Sequence, residues 1–189
     1  MHALFLVSVV ALGLLLPLAA FDGLYLHLWK FRLFARSETR VEHAIHTLRA
    51  VLGAFALWLV FRGDTVGPTL WLGVSIVIID VGVGAWDMAE ETRSRRPLGG
   101  LPQGEAALHL VATTLHVVGV TTSLAARPLD AWAWANRSPS SALVAAASIA
   151  HTATSWLLPG TLAMAVLHVV LMMLPARLRM LASQNAVSR

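Results

Sequence analysis

Cysteine is absent from the 189 residues. Its absence excludes disulfides and thiolate-bound metal, and leaves the compartment open. Charge is scarce as well, at 13% of residues against about 25% in a soluble domain. Roughly half the usual polar surface is therefore missing, which suits an exterior solvated by lipid. The formal net charge is +4, but the basic residues sit in short loops between apolar runs. They form no single patch, which argues against nucleic acid as a partner. A basic leader is lacking too: Met1-His2-Ala3 carries no Lys or Arg. The apolar residues 4–20 therefore read as a retained first helix and not a secretory signal.

What the chain has is apolar length. Hydrophobic residues make up 57%, in runs that match the roughly 20 residues a membrane span needs. The runs predict helices over 4–21, 42–61, 65–86 and 105–126. The first is expected to stop at Asp22-Gly23. The apolar stretch 141–175 exceeds one span and is interrupted by Pro159-Gly160, which predicts a tight hairpin of two further helices. The expected fold is all-α: a polytopic transmembrane helix bundle of about six helices, one integral membrane domain over 1–189. Residues 24–34 interleave bulky apolar groups with His27, Lys30 and Arg32 and read as a helix extension or an interfacial segment.

Lys and Arg mark the cytoplasmic loops. Lys30, Arg32, Arg36 and Arg40 follow the first helix, and Arg93, Arg95 and Arg96 follow the third. Only Arg62, Arg127 and Arg137 lie in the opposite loops. This places the N-terminus outside. With six helices, Arg177, Arg179 and Arg189 would also lie outside, against the rule.

Ionisable groups inside apolar helices are costly and mark function. Glu42, His46 and Arg49 share one helical face with Gly53. Asp80, Asp87 and Glu91 do so on the third helix with Gly84, and Glu105, His109 and His116 on the fourth. Asp22 stands at the end of the first helix. His27, five residues later, would leave its face in a straight α-helix. The pattern also repeats weakly. Asp22 precedes Glu42-x-x-x-His46 by 20 residues, and Asp87 precedes Glu105-x-x-x-His109 by 18, pairing helices one and two with three and four.

Carboxylates from two helices and a Glu/His pair from each of two others form the ligand inventory of di-iron carboxylate bundles. The pair spacing there is i, i+3, and here it is i, i+4, so the likeness is one of ligand logic. Imidazole and carboxylate suit Fe, Mn or Zn. The candidate metal ligands are Asp22, Glu42, His46, Asp87, Glu105 and His109, with His27, His43, Asp80, Glu91 and His116 as secondary candidates.

Plainer roles compete with these. His151 and His168 have no carboxylate within one turn and read as packing residues. Arg49 with Asp80 reads as a buried ion pair. Glu90-Glu91-x-x-x-Arg95 matches one element of the intramembrane CAAX-type proteases, but the FxxxH and HxxxN/D elements are missing. The HxxxH and HxxHH clusters of membrane desaturases are missing as well. Heme is a less favoured cofactor, and would need His46 and His109 facing each other. The expected function is a membrane metalloprotein with one or two metals near the cytoplasmic face, carrying redox chemistry on a lipid or other apolar substrate. The alternatives are a cation or proton transporter along Asp80 and His116, and a non-catalytic, heme-binding subunit. Membrane lipid is the expected partner, and the scant loops leave room for a homo-oligomer or a larger membrane complex.

Overall fold

The computed structural model describes residues 1–96, 99–100, 103–175 and 178. Among them the chain is all-helical, and five helices are long and apolar enough to cross a membrane. Helix α1, His2–Ala20, continues unbroken into a π-helical segment, Phe21–Lys30. The stop expected at Asp22-Gly23 does not occur, because Gly23 keeps a helical backbone. The chain turns only at Arg32, whose φ is 50°. Helix α2, Arg40–Ala56, also ends in a π-helical turn, Leu57–Phe61. Helix α3 is Gly67–Ser94, with Pro68 in its first turn, where a missing N–H costs nothing. Helix α4 is Gln103–Ala125.

The expected Pro159-Gly160 hairpin is overturned. Ser141–Met172 is one continuous helix, α5, with Pro159 inside it. Proline removes one intrahelical hydrogen bond. In an apolar run a turn would expose several unpaired backbone groups instead, which is the costlier outcome. Beside the proline, the Thr161 hydroxyl donates to the Leu157 carbonyl at 3.0 Å. Ser140 caps the helix by accepting from the Leu143 N–H at 3.2 Å. Arg177, Arg179 and Arg189 lie outside the described residues.

Helix α2 packs against α3 and α5, and α1 packs against α4 and α5. The order around the bundle is thus α3, α2, α5, α1, α4. Helices α3 and α4, although consecutive, make no comparable packing contact. Near one end the wide turn Leu57–Phe61 bridges them, and toward the other end Glu91 and Asp80 of α3 reach His109 and His116 of α4. At the turn Gly73 admits Leu59 and Val60, and Gly119 admits Phe61; a Cβ at either position would meet those side chains at 2.9 Å.

A π-turn leaves carbonyls that the helix cannot satisfy. Arg127 supplies the donors: it bonds the Val60 carbonyl at 2.7 Å and the Ser123 carbonyl at 2.5 Å. Burial pushes its pKa down to about 10, so it stays charged at neutral pH. The apolar cores lie in this half of the bundle, one around Phe5, Leu143 and Ala147, the other around Leu12, Val60, Phe61 and Val120. Large apolar side chains also face outward, including Trp156 at 82% and Leu110 at 70% exposure. The opposite half is polar inside.

Candidate metal centre

The π-helical segment places the first two residues. Its i→i+5 hydrogen bonding brings residues five apart onto one face. Asp22 and His27, misaligned in a straight α-helix, therefore point together, with His27 Nε2 3.4 Å from Asp22 Oδ1. The His27 ring is fully buried. It lies 3.5 Å from Glu105 Oε1 on α4 and stands edge-on to His46 of α2, ring centroids 3.9 Å apart.

Two groups of side chains gather around it. Asp22, His27, Glu105 and His109 each offer a ligand atom within 4.8 Å of the others, and so do His27, Glu42 and His46. His27 belongs to both. Of the six first-rank residues from the sequence, five thus fall in these groups. Asp87 does not: it lies 3.3 Å from His46 Nε2 and accepts a 2.9 Å bond from Arg49. In the same way Asp22 meets His109 Nε2 at 3.2 Å, and Glu91 meets His109 Nδ1 at 3.1 Å. Each of these carboxylates lies against an imidazole nitrogen, and both nitrogens of His109 are engaged this way.

Glu42, Glu91 and Glu105 are buried, at 0%, 3% and 4% exposure. Arg95 meets two of them. Its guanidinium is itself fully buried, lies 2.9 Å from Glu42 Oε1 and 2.5 Å from Glu105 Oε1, and covers the Phe31 ring at 4.1 Å. The Ser94 hydroxyl also donates to Glu42. Sequence reasoning gave Arg95 a topological role with Arg93 and Arg96. Only its place one residue after a buried helical serine distinguishes it.

His168 packs inside the bundle, as the sequence suggested. It is 2% exposed, stacks on His43 with centroids 5.4 Å apart, and sits where a Cβ on Gly23 would meet its Nε2 at 3.4 Å. His151 lies at the other end, 3.9 Å from Asp64 and half exposed.

A polar spur leaves the centre. Arg49 joins Asp87 to Asp80, at 2.9 and 3.6 Å, and Asp80 lies 3.8 Å from His116. This spur crosses from α2 through α3 to α4. Its side chains are 36% exposed at Arg49, 8% at Asp80 and 20% at His116.

Unmet polar atoms concentrate here. Among the described residues, both His27 nitrogens, His46 Nε2, Asp87 Oδ1 and Glu105 Oε2 are buried without a hydrogen-bond partner. Such atoms are costly unless something binds them. The charges are also unequal: six buried or nearly buried carboxylates (Asp22, Glu42, Asp80, Asp87, Glu91, Glu105) meet only two guanidiniums, Arg49 and Arg95. Comparison with protein-family models, curated proteins and solved structures finds no match to this chain.

Proposed function

We propose that this chain is a multi-pass membrane metalloprotein whose His/carboxylate centre carries redox chemistry on a lipid or other apolar substrate. The observation that carries the reading is the convergence of two ligand groups on His27, inside a cluster where carboxylates outnumber guanidiniums by four. An isolated buried charge is prohibitively costly. Two divalent ions would balance the excess with the histidines neutral. Asp22, His27, Glu105 and His109 would hold one ion, and Glu42 and His46, sharing His27, the other. A mixed nitrogen and oxygen set of this kind suits Fe, Mn or Zn, and Fe or Mn would supply the redox step. The unpacked side between α3 and α4 supports access for a substrate dissolved in the bilayer.

The topology follows from α5 being one helix. Its C-terminal end lies on the side of the 30–40 loop, where Met172 stands beside Ser37 and Arg40. Among the described residues, Lys30, Arg32, Arg36, Arg40, Arg93, Arg95 and Arg96 then stand on the side of the centre, against Arg62, Arg127 and Arg137 on the other. The positive-inside rule makes the centre cytoplasmic and the N-terminus external, without the conflict a sixth helix creates. The weak tandem repeat gains support as well: Asp22, at the end of the first span, meets His109 of α4, and Asp87 of α3 meets His46 of α2, an exchange of partners between the two halves of the repeat.

A cation or proton path is the second reading, favoured by the spur from Asp87 through Arg49 and Asp80 to His116. Heme between His46 and His109 is disfavoured, because the His27 ring fills that space, 3.9 and 6.3 Å from the two rings. Elemental analysis of detergent-purified protein separates the readings. Stoichiometric iron, manganese or zinc is expected, and its absence from protein purified with metal present would sink the proposal.

A further inference from the structure

Helix α2 carries a second feature, on a face different from that of Glu42 and His46. A groove of about 470 Å³ runs along Val41, Ala44 and Leu48, walled by Trp86 of α3 and Met172 of α5. Its volume lies within the range of small-molecule sites. One end is polar, formed by Ser37 and Arg40. The Arg40 side chain makes no ion pair or hydrogen bond among the described residues. The nearest acid in sequence, Glu38, is exposed, takes a hydrogen bond from Ser37 and lies beside Arg36. Over residues 30–40 the sequence carries four basic residues and one carboxylate.

We infer that this groove binds an anionic phospholipid of the surrounding leaflet, with its phosphate at Arg40 and one acyl chain along α2. The inference rests on the membrane reading and not on the metal. Val41 to Leu48 spans two helical turns, about 10 Å, which takes the upper part of an acyl chain. An unpaired guanidinium at the mouth of an apolar groove gives selectivity for a negative headgroup, as basic pockets between transmembrane helices do. A zwitterionic lipid fits the walls equally well and gains less at Arg40.

Trp86 provides the reporter. The full chain is reconstituted in vesicles containing brominated phosphatidylglycerol or brominated phosphatidylcholine, and the quenching lost in Trp86→Phe is taken as the Trp86 signal. The expected result is an occupancy preference for the anionic lipid of about fivefold, removed in Arg40→Gln, an exposed position that leaves the fold intact. Equal Trp86 quenching by the two lipids, or a preference that survives Arg40→Gln, would overturn the inference. Failure of the membrane reading looks different: neither lipid would quench any tryptophan.

Discussion

His27 Nε2 stands 3.4 Å from Asp22 Oδ1, although five residues separate them. In an α-helix that spacing turns the second side chain well away from the first. The π-helical segment from Phe21 to Lys30 removes the difference and aims both groups at Glu105 and His109. Local helix geometry therefore decides which histidine sits at the middle of the centre.

Arg95 holds the centre together from the side of the α3–α4 connection. Arg95→Ala would leave Glu42 and Glu105 buried and unpaired, which costs about 3–5 kcal/mol. Thermal unfolding in detergent should show that loss, and added divalent metal should recover part of it, because metal neutralises the same carboxylates. Recovery no larger than in the wild type would mean that Glu42 and Glu105 do not bind metal.

Pro159 lies inside a helix and not at a turn. Pro159→Ala restores a hydrogen bond and should stabilise the protein by up to about 3 kcal/mol. A loss of stability in the same unfolding measurement would show that the proline ring itself is needed for packing.

Topology can be read by labelling, and the lack of native cysteine makes the experiment clean. Single cysteines at Ser37, Arg93 and Leu178 should all resist an impermeant thiol reagent added outside, and one at Arg137 should react. Arg93 is the better probe of its loop, since its side chain is 82% exposed and Ser94 is buried on Glu42. Reaction at Leu178 alone would restore the sixth span.

The apolar helices were legible in the residues, and the failures have separate physical causes. The polar stripes on α2, α3 and α4 could be read because i, i+4 spacing and an α-helical backbone agree there. His27 could be ranked only second, because periodicity assumes 3.6 residues per turn and the π-segment departs from it. The continuity of α5 was hidden by Pro-Gly, strong punctuation in water but weak in a long apolar run. Arg95 was hidden by its neighbours: three arginines within four positions look alike in sequence, and only tertiary packing draws one of them inside. His168 was read as a packing residue, but its partner, His43, lies on another helix and could not be named from spacing.

His27 is shared by both ligand groups, so its loss should empty both. Metal content per chain should be measured for the wild type, His27→Ala and His151→Ala, purified identically and checked for equal helicity. The wild type and His151→Ala should carry the same stoichiometric iron, manganese or zinc. His27→Ala should bind it on the order of 100-fold more weakly, at least the loss expected from removing an outer partner. Full metal retention in folded His27→Ala would contradict a centre built around that imidazole.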